Sequence, residues 1–152
     1  MTAAAHFPFV QRATDLGTAS LAPLLPITLA SARTVSVMGL LDTDAAVNVL
    51  PFSVGEQLGA DWDALSTTVE LSGNLSTVEA RVLVASAVVA SFPPVRLAFA
   101  WAKTDAVSVL LGQVNFFLEF DVCFFRSVSL FEVRPKQARR PASKRSKRTN
   151  PS

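Results

Sequence analysis

The chain has 152 residues, half of them hydrophobic, with one Cys and one His, enough for one domain with a core. That inventory gives no His/Cys cluster for zinc, and no Cys–His or Ser–His–Asp site that does not rest on His6 alone. Neither usual spacing of a Gly-rich phosphate loop occurs, so carboxylates remain as the catalytic candidates, with no cofactor and no metal expected.

The charge is divided along the chain. Residues 1–133 hold all twelve acidic residues against six basic ones, while residues 134–152 hold eight basic residues and no acidic one. The overall +2 is therefore an acidic body with a basic tail. A lone Cys123 cannot form an internal disulfide, which makes the cytoplasm the default compartment. The N-terminus lacks a basic stretch followed by an apolar one, so it does not read as a signal peptide. The most apolar stretch, residues 82–102, is broken by Ser86, Ser91, Pro93-Pro94 and Arg96, which excludes a spanning helix and gives no membrane contact.

Eleven Phe, abundant Val, Leu and Ala and only six Gly favour short strands over long amphipathic helices. Residues 1–20 read as a flexible arm. Leu24–Leu29 reads as a strand with Pro26 near its start, Ser31-Ala32-Arg33 as a turn, and Thr34–Leu41 as a strand that becomes continuously apolar on entering a core. The apolar run stops at Asp42-Thr43-Asp44-Ala45-Ala46. Ser53–Leu58 reads as a short helix closed by Gly59. Thr67–Leu71 and Ser76–Val84 flank Ser72-Gly73-Asn74 as a β-hairpin, and strands follow at Ala85–Ala90 and Val95–Trp101. Val107–Gly112 reads as a buried strand ending on Gly. Gln113–Phe120 reads as a short helix with Val114, Phe117 and Leu118 inward, and Cys123–Phe125 with Leu130–Val133 as a last strand pair. Cys123, among apolar neighbours, reads as a buried small residue. From Arg134 onward no large apolar residue remains, so residues 134–152 are expected to be disordered.

Two of these segments carry a resemblance. Leu40-Leu41-Asp42-Thr43-Asp44-Ala45 resembles the active-site loop of retropepsin-like aspartic proteases, which reads hydrophobic-hydrophobic-Asp-Thr/Ser-Gly-Ala. Leu110-Leu111-Gly112 before a short helix resembles that family's second mark, and the Ser72-Gly73-Asn74 tip lies where the family has its flap. Val47-Asn48-Val49-Leu50-Pro51 looks like the bacterial members. The resemblance implies an all-β, single-lobe, closed barrel-like fold over residues 21–133 with one or two short helices. It also implies a homodimer in which Asp42 of each copy acts on a water, Thr43 supports the loop across the interface, and an extended peptide lies under the hairpin. Catalysis would then rest on Asp42 and Thr43, and substrate contact on Asp44, Ala45, Ser72, Gly73 and Asn74.

Asp44 departs from the family pattern, which has Gly there. Its side chain narrows the approach to substrate and adds like charge around the dimer axis. Three readings therefore stand: an active homodimeric aspartic endopeptidase; a catalytically weakened or inactive relative serving as a peptide-binding module; and an unrelated small β domain. Asp42-Thr43 by itself also reads as an ordinary Asx turn. The tail reads either as a non-specific polyanion contact or as a solubilising extension.

Overall fold

The computed structural model describes residues 3–13 and 19–137. The N-terminal segment supplies β1 (Ala5–Pro8), β2 (Val10–Ala13) and β3 (Ala19–Ala22). Next come β4 (Leu24–Ala30), β5 (Thr34–Leu41), β6 (Asn48–Leu50) and helix α1 (Phe52–Gln57). Long strands β7 (Ala80–Val88) and β8 (Val95–Ala102) follow, then the two-residue β9 (Leu110–Leu111) and helix α2 (Phe116–Glu119). The described chain closes with β10 (Phe120–Phe125) and β11 (Leu130–Pro135).

Six strands close a barrel in the order β4-β5-β9-β6-β8-β7. The hairpins β4/β5 and β7/β8 are antiparallel, whereas β5/β9 and β6/β8 are parallel. The all-β fold expected from the sequence is thus found, with two short helices. Burial alternates along β4, where Leu25, Ile27 and Leu29 face inward, as period-2 side-chain geometry requires. Phe99, Trp101, Leu97 and Leu111 fill the centre.

Helix α1 ends as its sequence suggests. Gly59 takes a positive φ of 79°, its N–H bonds Glu56 O, and Ala60 N–H bonds Gly55 O. Those two bonds form a Schellman cap, which a Cβ at the left-handed position would strain. Gly55 packs against Trp101, whose indole N–H donates to Phe52 O at 3.0 Å. A Cβ at Gly55 would lie 2.1 Å from Trp101 Cε2, and the fully buried ring has no room to yield. Gly55→Ala should therefore cost about 2–3 kcal/mol, read as a fall in the thermal midpoint. An unchanged midpoint would show that the indole can shift.

Several expectations are corrected. Part of the supposed N-terminal arm is a strand: β1 pairs antiparallel with β11 from Ala5↔Val133 to Pro8↔Leu130, and Phe7 stacks on Phe131 at 5.4 Å. Burial of those rings holds the segment down. Arg134 and Pro135, assigned to the tail, extend β11 opposite Asp121 and Phe120. The remaining tail, residues 138–152, lies outside the described residues.

The hairpin about Gly73 is also only partly formed. Its incoming side joins β7 through a single bridge, Thr68↔Arg81, and the tip is a 3-10 turn at Gly73–Leu75. Leu71, Leu75 and Val78 pack on the barrel. Their spacing of four and three residues suits local turns rather than the alternation of a strand. The strands expected at Ser76–Val84 and Ala85–Ala90 are in fact the single β7.

Helix α2 is shorter than expected and turns a different face inward. Phe116 is its buried residue, while Val114 and Leu118 are exposed, because the helix begins after Val114. Cys123 is exposed rather than buried. It lies on β10, an edge strand of the sheet β1-β11-β10; Phe124 and Phe125 beside it are exposed as well. An apolar run is buried only where a neighbouring layer covers it. Of the six Phe between residues 116 and 131, Phe116, Phe120 and Phe131 are fully buried and Phe117 is partly so.

Candidate functional site

Asp42 stands where β5 leaves the barrel. Its N–H donates to Leu111 O at 3.0 Å, so the parallel pairing with β9 runs up to the carboxylate-bearing residue. The chain then turns: Ala45 N–H returns to Asp42 O at 3.2 Å, and Asp44 N–H donates to Asp42 Oδ1 at 3.0 Å. This is an Asx turn in form, yet it also orients the half-buried carboxylate by a charge-assisted bond. Among the described non-glycine residues only Ala90 and Ser129 take a positive φ. Asp44 therefore occupies ordinary backbone space, and the position does not need Gly to form its turn.

The loop is laced to the segment after β9. Gln113 N–H donates to Ala45 O at 2.8 Å and Val114 N–H to Ala46 O at 3.0 Å, while Gln113 Nε2 reaches Thr43 O at 2.7 Å. Gly112 makes this approach feasible. A Cβ there would lie 2.6 Å from Ala45 O and 2.7 Å from Val47 O, both backbone atoms that cannot swing aside. Gly112→Ala should push the Asp42 loop outward at a cost of about 2–3 kcal/mol. It should also lower any Asp42-dependent activity more than its stability loss explains, compared by unfolding and by rate. Equal activity in the two proteins would refute this coupling.

Behind the loop lies a buried amide pair. Asn48, fully buried on β6, accepts Gly112 N–H at 2.8 Å and donates from Nδ2 to Ala98 O at 3.0 Å. It also donates to Asn115 Oδ1 at 3.2 Å. Asn115 Oδ1 accepts Ala98 N–H, and its Nδ2 donates to Arg96 O. The pair ties β6, β8 and the Gly112 turn into one unit. Sequence reasoning gave neither residue a role. The available signal was a single polar residue within the apolar Val47–Leu50, since a buried polar group must find partners.

A groove of about 290 Å³ opens beside Asp42. Asp44, Ala45 and Ser72 line it with Asp42, so four of the seven expected site residues share one cavity. Thr43, Gly73 and Asn74 are exposed and do not line it. Residues not anticipated there are Glu70 and the apolar Val47, Val49, Leu71, Leu75 and Leu110. Val47 and Val49 could have been inferred from alternation about Asn48. Glu70 carries no signal in the sequence. Two cavities of about 410 Å³ lie elsewhere: one around Trp62, Thr68 and Arg81, which shares Glu70 with this groove, and one around Thr77, Glu79 and Lys103. No group of three or more His, Cys, Asp or Glu residues that could hold a metal ion occurs among the described residues.

No protein-family model matches the chain, and no curated protein does either. Among solved structures it is similar to a retropepsin-like aspartic protease from Rickettsia conorii, with a TM-score of 0.59. The similarity covers 89% of this chain and 94% of that one at 14% sequence identity. At so low an identity the fold is what the two share. The closed barrel, the strand that ends at Leu41 just before Asp42 and the likeness over nearly the whole of both chains lead to one conclusion: this protein has the retropepsin-like aspartic protease fold.

Proposed function

We propose that the protein is an aspartic endopeptidase working as a homodimer, with one Asp42 from each copy. The observation that carries the reading is the Asp42 carboxylate, oriented by Asp44 N–H at the edge of a groove with an apolar floor, in a retropepsin-like fold. One carboxylate takes a proton from water as the oxygen attacks the peptide carbonyl, and the other donates a proton to the carbonyl oxygen. The tetrahedral intermediate then expels the amine, which leaves protonated. Thr43 and Ala45 hold the loop, and the segment Ser72-Gly73-Asn74 covers an extended peptide. An open strand edge supports the dimer. β10 pairs only with β11 among the described strands, and it bears exposed Phe124 and Phe125. An uncovered apolar edge of this kind favours association.

The test is cleavage of a denatured protein from acid to neutral pH, with and without a transition-state mimic of the aspartic protease class. Specific activity should rise with enzyme concentration as dimers form, and the mimic should abolish it. A second reading has Asp44 in its favour: a silent relative that binds peptides in the same groove. A dimer that binds the mimic and cleaves nothing at any pH would select that reading. No helix of the described residues is long and apolar enough to cross a membrane.

A further inference from the structure

Charge is unevenly placed around the groove. Three carboxylate residues line it, Asp42, Asp44 and Glu70, and no Lys or Arg does. The ion pairs among the described residues engage Glu132 and Glu119 with His6, Arg134 and Lys136; none reaches the groove. The nearby cations are held elsewhere: Arg81 and Lys103 stack on Trp62. The groove therefore presents negative charge above an apolar floor; no Lys or Arg of the described residues lines it, and Arg81 lines only the adjoining cavity, which shares Glu70.

The same chain carries a segment of complementary charge. Residues 138–152 contain six basic residues and no acidic one. Their point of departure is close to the site along the backbone. Lys136 N–H bonds Glu119 O at 2.9 Å, and Glu119 is six residues beyond Gln113, which touches the Asp42 loop. Six Cα steps span at most about 23 Å, and fifteen extended residues reach about 50 Å. The segment can therefore lie in the groove of its own molecule.

We propose that the groove takes an extended Lys/Arg-rich peptide, selected by Asp44 and Glu70, and that segment 138–152 is one such peptide bound in cis. The proposal rests on the endopeptidase reading for the location of the site and adds what the site prefers. In a dimer four such carboxylates would face one peptide, so the preference should weaken as salt screens them. Asp44 thereby acquires a role in place of the Gly of related loops: it narrows the groove and selects charge.

The test uses the full chain carrying Asp42→Asn, so that binding is read without cleavage. Two labelled fifteen-residue peptides are compared by fluorescence polarisation. One has the sequence of residues 138–152, and in the other its six Lys and Arg are replaced by Gln. The basic peptide should bind about tenfold tighter at low salt. Adding Asp44→Asn and Glu70→Gln should bring the two within about twofold. Replacing the six basic residues of the chain's own segment by Gln should tighten binding of the added basic peptide severalfold, because the cis competitor is gone. Equal affinity for the two peptides from a protein whose Asp42 form cleaves protein would overturn the preference and leave the endopeptidase intact. A preference that survives Asp44→Asn with Glu70→Gln would move the basic contact off the groove and sink the assignment. Binding of neither peptide, with no cleavage by the Asp42 form, would defeat both readings.

Discussion

Asp42→Asn is expected to lower the rate of peptide cleavage by about 10³-fold or more while leaving the fold and the dimer in place. The two side chains have the same shape, and Asn Oδ1 can still accept the Asp44 N–H that now lies 3.0 Å from Asp42 Oδ1. The turn and its bonds to Gln113 and Leu111 should therefore survive. What disappears is a group able to take a proton from water and return one to the leaving amine. In the proposed homodimer each copy would supply one Asp42, so a single substitution would change both halves of the site and leave no wild-type carboxylate in a dimer of variants. The measurement is initial rate with the dimer population checked by sedimentation. Retained cleavage would remove Asp42 from the chemistry. Lost cleavage with a lost dimer would instead point to structure, which a mixed dimer of wild-type and variant chains would then test.

The second large effect concerns stability. Asn48→Ala should cost about 3–5 kcal/mol and lower the thermal midpoint by about 10 °C or more. Asn48 is fully buried and makes three hydrogen bonds, to Gly112 N–H, Ala98 O and Asn115 Oδ1. Removing it strands a buried N–H and leaves two acceptors short of a donor. Unmade buried hydrogen bonds cost more than the average bond contributes. A small cavity adds to the loss. Gly112 anchors the Asp42 loop through its missing side chain, so activity should fall together with stability. A cost under about 1 kcal/mol would show that the region repacks or admits water.

Much of the barrel was legible because its strands carry their own signals. Thr34–Leu41 alternates and then becomes apolar, and it is β5 over those residues. Leu24–Leu29 lies within β4, and Gly59 closes α1 through a cap that few other residues tolerate. The Leu-Leu-Asp-Thr and Leu-Leu-Gly phrases were visible for the same local reason: each ends an apolar strand with a residue that stops it. Less legible were β1 and the edge strand β10, since nothing local says whether a short apolar stretch will find a partner. Phe7 is held by Phe131 across the length of the chain, while Phe125 is left exposed.

The site divides along the same line. Composition and motif spacing removed zinc clusters and phosphate loops, composition pointed to short strands, and the resemblance of two motifs to those of retropepsin-like proteases pointed to Asp42 and its neighbours. Only the tertiary structure put Glu70, Leu71 and Leu75 beside Asp42, turned Cys123 outward and joined Asn48 to Asn115 over a separation of 67 residues. Strand periodicity and turn chemistry are properties of adjacent residues, so sequence determines them. The company a side chain keeps depends on which distant strands close the barrel, and that is decided by burial and backbone pairing over the whole domain.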